Sequence, residues 1–174
     1  MKIGILFFIM FFSLTIFSNS ITESVVANMN DRAITYTEVT QEGELLNIEN
    51  NVPPETPLAA DLKEKTLNLI MFRIIVFEEA RSQNITVDEK TVQEKVKIYS
   101  SNVYMKKFLK KYEITPLEFT TMIKMRLIAD KMTELFLEKR FKDKSSTAGE
   151  KKKAVEEWQK NLLKKQKLVL YSIP

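Results

Sequence analysis

The sequence contains no cysteine and no histidine, and it has only three glycines. Without cysteine the chain forms no disulfide and offers no thiol nucleophile, so packing alone must hold the fold together. The absence of both residues excludes the usual zinc sites and histidine-based acid/base catalysis. Gly4, Gly43 and Gly149 lie too far apart to form a glycine-rich phosphate loop. No pair of carboxylates stands out with polar support in apolar surroundings. We therefore expect a non-enzymatic protein without a metal site or a cofactor.

The first twenty residues have the pattern of a secretory signal peptide. Lys2 precedes residues 3–17, a run of fifteen residues of which twelve are large and apolar. This run is shorter than the roughly 20 residues that cross a bilayer. Ser18 and Ser20 place small residues three and one before Ile21, as a cleavage site requires. We expect cleavage after Ser20 and a mature chain of residues 21–174. An uncleaved leader that tethers the domain to the inner membrane is the alternative.

Charge is distributed unevenly along the chain, whose formal net charge is +4. Residues 21–64 carry nine acidic and two basic side chains, whereas residues 139–167 carry eleven basic and four acidic ones. Opposite charges of this size favour packing of the two segments together, or attraction of acidic partners. The lysine run 151–153 is typical of a solvated helix start, with weak contact with an anionic membrane surface as the alternative. Nucleic acid is not an expected partner of an exported chain.

The mature chain has the length of one domain, and its pattern is mainly α. Three segments match the capping box, in which a Thr and a Glu three residues apart satisfy free N–H groups at a helix start. They are Thr35–Glu38, Thr86–Glu89 and Thr115–Glu118, the last with Pro116 at the first helical position. The first box predicts a helix over about 36–48, the second one to about 99, and the third one to about 141.

Three further helices complete the predicted pattern. Residues 59–82 are nearly all apolar between Leu67 and Phe77, so this helix should be surrounded by other helices. After a break at 100–102, a short helix places Tyr104, Phe108 and Leu109 on one face. Residues 143–153 are predicted to be a flexible joint, followed by a helix with Val155, Trp158 and Leu162 on one face.

The two ends of the mature chain are β-prone. Val25–Met29 leads into turn-forming residues at Asn30 and Asp31, with a brief return at Ala33 and Ile34. Residues 167–173 form a second apolar β-prone segment. Because a strand is not stable alone, we expect these segments to pair and to join the ends of the chain. The expected fold is a single multi-helix domain with a small β-sheet.

The order of these elements resembles the N-terminal domain of SurA-type periplasmic chaperones, which are related in fold to the chaperone domain of trigger factor. The similar segments are Val25–Thr35, the stretch from Glu79 to Asp88, Thr115–Phe119, and the final helix and strand that contain Trp158 and Leu162. In that family, parvulin-type isomerase domains usually lie between the long helix and the last helix. Only a joint at about 142–150 occupies that place, and histidine is absent, so isomerase activity is not expected.

The resemblance implies an ATP-independent periplasmic chaperone that binds unfolded exported polypeptides, including outer-membrane protein precursors. Such a protein needs an adaptable apolar surface, and methionine suits one because its side chain is unbranched and polarizable. The candidate client-binding residues are Met105, Phe108, Phe119, Met122, Met125 and Met132. The spacing of Met122, Met125, Ala129, Met132 and Phe136 also predicts a helix-packing seam, so these methionines have a purely structural interpretation too. The alternative function is an envelope adaptor that binds one dedicated partner.

Overall fold

The computed structural model describes residues 24–142, 145–171 and 173. These residues form six helices and three strands. The elements are β1 Val25–Met29, β2 Arg32–Thr35, α1 Tyr36–Glu49, α2 Ala60–Ser82, α3 Glu89–Ser101, α4 Val103–Lys111, α5 Pro116–Arg140, α6 Ala148–Leu163 and β3 Leu168–Leu170. The mainly α fold class is thereby confirmed. The signal peptide predicted over residues 1–20 lies outside the described residues.

The small antiparallel sheet joins the two ends of the domain, as predicted. Its strand order is β2-β1-β3, so the first strand lies between its hairpin partner and the last strand. The hairpin turns at Asn30, whose φ of 55° is the left-handed conformation that asparagine tolerates. Asn30 N donates to the Lys167 carbonyl at 2.8 Å, and Tyr171 N donates to the Val26 carbonyl at 3.0 Å. Backbone pairing therefore closes the chain on itself.

Two of the three predicted capping boxes are confirmed, at Thr35–Glu38 and Thr115–Glu118. The box predicted at Thr86–Glu89 is wrong. Asp88 caps α3 instead, because its carboxylate accepts from Thr91 N at 3.2 Å. A capping box that the sequence analysis missed, Thr147–Glu150, starts α6 at Ala148. The predicted joint over 143–153 is therefore too long, and the lysine run lies within a helix.

Helices α1, α2 and α4 end in the same way although the chain is poor in glycine. A residue with positive φ follows each helix: Asn51, Asn84 and Glu113, with φ values of 58°, 55° and 52°. The next residue donates its N–H back five positions, as Ile85 does to the Ala80 carbonyl at 2.8 Å. This is the Schellman arrangement, which satisfies terminal carbonyls and folds an apolar residue back over the helix.

The core consists of three apolar clusters arranged along α2 and α5. The sheet and the first half of α2 enclose Val26, Met29, Ile34, Leu67 and Met71. The first half of α5 packs with α1 and α4 around Leu45, Ile48, Met105, Phe108, Phe119 and Ile123. The second half of α5 packs with α2 and α6 around Phe72, Val76, Ile128, Ala129, Met132 and Trp158. Helix α5 thus buries different faces in its two halves.

The packing seam predicted on α5 holds only for part of its length. Ala129 and Met132 are buried against α2 as expected. Phe136 stacks on Trp158 with ring centroids 4.4 Å apart. Met122 and Met125, in contrast, remain partly exposed, because Phe119 and Ile123 take the buried positions in that half of the helix.

Among the described residues, the ion pairs of the acidic side chains of α1 do not involve the basic C-terminal segment. The buried acidic side chains of α1 form their ion pairs with Arg73, Lys111 and Arg126, which belong to α2, α4 and α5. The acidic segment 21–64 and the basic segment 139–167 do pack together, as expected, but they do so through backbone hydrogen bonding at the sheet and apolar contacts.

Candidate functional site

An open groove lies where α1, α2 and α5 meet beside β2, and we call it the central groove. Its volume is about 190 Å³, and Ile70, Ile74, Met122 and Met125 form its apolar surface. Met122 and Met125 are partly exposed. The polar lining residues are Arg32, Glu38, Gln41, Glu42, Arg73 and Arg126. The groove therefore combines adaptable methionine side chains with polar side chains.

A second open depression adjoins the central groove, because Met125 lines both. We call it the lateral cavity; its volume is about 520 Å³. Phe77, Ile85, Met125 and Ile128 supply its apolar lining, and Arg81, Asn84, Thr86, Thr121 and Lys124 complete it. The size lies within the roughly 300–1,000 Å³ typical of sites that bury a small ligand.

The end of α2 sets the shape of the lateral cavity. Asn84 adopts positive φ, and the hydrogen bond from Ile85 N to the Ala80 carbonyl folds the chain back at the helix end. Ile85 then packs against the cluster between α2 and α5. On the other side, Lys131 of α5 donates to the Thr86 carbonyl at 2.6 Å. The wall formed by residues 84–86 is thus held at both ends.

A third cavity, the Tyr99 cavity, lies between α3 and α5 and has a volume of about 380 Å³. It shares Arg73 and Arg126 with the central groove, so these two side chains stand between the two spaces. Its other lining residues are Glu49, Lys95, Ile98, Tyr99, Ile123, Leu127 and Asp130. It is more polar than the lateral cavity and carries carboxylates beside its cations.

Buried ion pairs lie beneath the central groove and connect three helices. Arg126 of α5 pairs with both Glu42 and Glu49 of α1, and Arg73 of α2 also pairs with Glu42. The Arg126 side chain is only 9% exposed and that of Glu42 only 12%. The Tyr99 hydroxyl of α3 donates to Glu49 at 2.7 Å. Each buried charge thus has a partner, as burial requires.

The surroundings of this network shift the pKa of its members. Burial, together with the hydrogen bond to Glu49, raises the pKa of Tyr99 to about 12. Burial works to lower the pKa of Arg126, but the charges of Glu42 and Glu49 outweigh it and raise that pKa. Although much of Asp130 is exposed, restricted hydration of its carboxylate raises its pKa, against the opposing charges of Arg73 and Arg126. Arg126 therefore keeps its charge, and Tyr99 keeps its proton.

The described residues form neither a metal-binding cluster nor a membrane-spanning helix. Among residues 24–142, 145–171 and 173, no group of three or more acidic side chains is placed to hold a metal ion. Within the same part of the chain, no helix combines the length and the apolar character needed to cross a membrane. What the grooves present is apolar surface bordered by charge.

The sequence was compared with models of known protein families. The sequence model of the SurA-like N-terminal domain matches residues 1–133, which include β1, β2, α1 to α4 and most of α5. The chain belongs to the SurA-like N-terminal domain family. No curated protein gives a significant match. The family predicted from the sequence is thereby confirmed, and with it a chaperone-type domain.

The central groove and the lateral cavity both lie in the part of the chain that matches the SurA-like N-terminal domain. The residues that line the central groove and the lateral cavity lie between Arg32 and Ile128. Helix α6 and strand β3 follow the matched region. Only residues 141–147 separate α5 from α6, at the joint where the resemblance led us to look for an inserted domain.

The six residues predicted to bind clients fall into two groups. Met105, Phe108, Phe119 and Met132 are buried in the core clusters. Met122 and Met125 line the central groove, and Met125 also lines the lateral cavity. In this conformation only the second pair is available at a groove, so client binding by these two methionines stays our prediction for this SurA-like domain.

The charged residues of the site were not predicted from the sequence. Arg73 and Arg126 each lie within a largely apolar helix segment, and this was the available signal. A cation within a core helix needs a buried acid, and α1 offers Glu42 and Glu49 two turns apart on one face. The sequence did not reveal which acid pairs with which arginine, because the residues of the Arg126–Glu42 bond are 84 positions apart.

Proposed function

We propose that this protein is an ATP-independent holdase that binds unfolded polypeptides at the central groove. The observation that carries this proposal is the position of Met122 and Met125, partly exposed in an open groove of a chaperone-type domain. Methionine is flexible and polarizable, so it adapts to clients of different shape. Such binding requires no catalytic group, which agrees with a sequence that has neither cysteine nor histidine.

The frame beneath the groove supports the same function. Arg73 of α2 and Arg126 of α5 line the groove and both pair with Glu42 of α1, which lines it too. These pairs join α1 to α2 and to α5, while the methionines at the groove have unbranched side chains with three rotatable bonds. A holdase benefits from this combination, because a preformed groove lowers the entropy cost of binding.

We further propose that the protein acts in the periplasm on exported proteins, including precursors of outer-membrane β-barrels. The client class is inferred from the family, and the location is inferred from the leader at residues 1–20. Cleavage after Ser20 would leave only residues 21–24 before β1, so the fold would begin almost at the new N-terminus. A retained leader would instead place the same groove next to the inner membrane.

An aggregation assay tests the holdase function. Residues 21–174 are added without ATP to a chemically unfolded outer-membrane barrel protein at near-stoichiometric ratios, and light scattering is recorded. We expect scattering to be suppressed. The variant Met122→Gln with Met125→Gln should lose most of this suppression, because it makes the apolar surface of the groove polar.

The matched control replaces two apolar residues that are more exposed but line none of the three cavities. These are Val103 at 62% and Leu117 at 77% exposure, both changed to Gln. This control should suppress aggregation as well as the native sequence does. Scattering that native protein leaves unchanged at every ratio would refute the proposal. Retrieval of one partner from an envelope extract would then support the adaptor function instead.

A further inference from the structure

The three cavities differ in how their positive charge is balanced. The central groove is lined by three arginines and two glutamates, and the Tyr99 cavity by three cations and two carboxylates. The lateral cavity is lined by Arg81 and Lys124 and by no acidic residue. It is therefore the one of these three with cations but no carboxylate in its lining. Positive charge at the edge of an apolar cavity favours a ligand that carries negative charge beside an apolar group.

The two cations of the lateral cavity are available to a ligand. Arg81 is exposed at the end of α2 and makes no ion pair with any residue that the structure describes. Lys124 lies 3.5 Å from Glu89, and this pair is exposed, with side-chain exposures of 44% and 61%. An exposed pair of this kind contributes little stability, so Lys124 can exchange Glu89 for a ligand carboxylate at low cost.

A third cation lies next to the cavity. Lys131 bonds to the carbonyl of Thr86, and Thr86 is a lining residue. Its charge adds to the positive potential on this side of α5, since a carbonyl oxygen accepts the hydrogen bond without neutralising the ammonium group. Water and salt screen these exposed charges, so their effect reaches a ligand only within about 10 Å.

We propose that the lateral cavity selects among clients. It takes one apolar side chain of an extended polypeptide whose neighbouring residue is Asp or Glu, and that carboxylate pairs with Arg81 and Lys124. Met125, shared with the central groove, lets one extended segment contact both spaces. This inference rests on the proposed function, and it adds a preference for acidic over basic residues beside the apolar anchor.

Binding of fluorescent peptides to the full chain tests the preference. Three peptides share one sequence with a central Phe and an amidated C-terminus, and differ only in having Asp, Asn or Lys on both sides of the Phe. Fluorescence anisotropy should give the lowest Kd for the Asp peptide, about fivefold below that of the Asn peptide, as expected for exposed charge pairs. The difference should shrink at high salt.

Two variants assign the preference to the cavity. Arg81→Glu with Lys124→Glu should reverse the order, so that the Lys peptide binds more tightly than the Asp peptide. The control, Lys106→Glu with Lys110→Glu, makes the same change in net charge at exposed positions of α4 outside the three cavities. It should keep the native order. Circular dichroism checks that both variants remain folded.

The outcomes separate the inference from the proposed function. Equal Kd values for the three peptides, in a protein that does suppress aggregation, would overturn the preference and leave the holdase intact. A reversal in the α4 control as well would show that net charge alone sets the order, and would also overturn it. No peptide binding together with no suppression of aggregation would overturn both.

Discussion

Replacing Arg126 with methionine tests whether the buried ion pairs hold the helices of this domain together. The Arg126 side chain is 9% exposed and pairs with Glu42 and Glu49, whose side chains are 12% and 25% exposed. Removing one partner of a buried pair costs about 3–5 kcal/mol, because the remaining charge stays buried without compensation. Glu42 retains Arg73 and Glu49 retains the Tyr99 hydroxyl, so we expect the lower end of this range.

The expected loss is about 3 kcal/mol in the free energy of unfolding, measured by urea denaturation followed by circular dichroism. For a domain of this size, it corresponds to a fall in Tm of about 6–12 °C. The control is Lys65→Met, which breaks the exposed Lys65–Asp61 pair and should cost no more than about 0.5 kcal/mol. Adding Glu49→Gln to Arg126→Met removes one of the two carboxylates that lose their arginine, so it should restore part of the loss.

The result that would refute this reasoning is a small effect in the first variant. If Arg126→Met and Lys65→Met change the free energy of unfolding by the same amount, the buried pairs do not hold α1 and α5 together. If Glu49→Gln restores nothing, the loss comes from packing rather than from an uncompensated carboxylate. In both cases the rigid frame assigned to the central groove would have to be abandoned.

Two further predictions concern the ends of the chain and Tyr99. Deleting residues 154–174 removes β3 and Trp158, whose ring packs between Phe72 and Phe136. The free energy of unfolding should fall by more than about 3 kcal/mol, the loss typical of one aromatic core residue, and Tm should fall with it. An unchanged Tm would refute the pairing of the two ends of the chain. Because the pKa of Tyr99 is about 12 when folded and about 10 when unfolded, stability present below pH 10 is lost as pH rises towards 12. In urea titrations at about pH 9 and 11, Tyr99→Phe should lose less stability between the two pH values than the native protein does. Tyr171→Phe, which changes an exposed tyrosine, is the control. An equally steep loss in the two variants would contradict the prediction.

Much of the fold was predictable because its signals are local. Thr35 and Thr115 cap helices through partners three residues away, and the hairpin turn needs only Asn30 and its neighbours. Local signals also explain the error at Thr86. Thr86 and Asp88 are both able to cap a helix, and only the path of the chain after α2 selects Asp88.

The candidate site was predictable only in part. The sequence indicated a methionine stripe on α5, but not which of its members reach a groove. Burial depends on which face of α5 meets which helix, and that face changes along the helix as its neighbours change from α1 and α4 to α2 and α6. Met132 is therefore buried, and Met125 lines two open spaces.

By itself, the sequence determined the family, the mainly α class and most helix boundaries, since each follows from residue order or from contacts within one turn. Only the tertiary structure decided the partners of the buried arginines, the exposure of Met122 and Met125, and the placement of Arg81 and Lys124 at the lateral cavity. These features depend on residues far apart in the chain, such as the 77 positions that separate Arg126 from Glu49. Tertiary packing brings such residues together, and no local sequence pattern predicts which of them will meet.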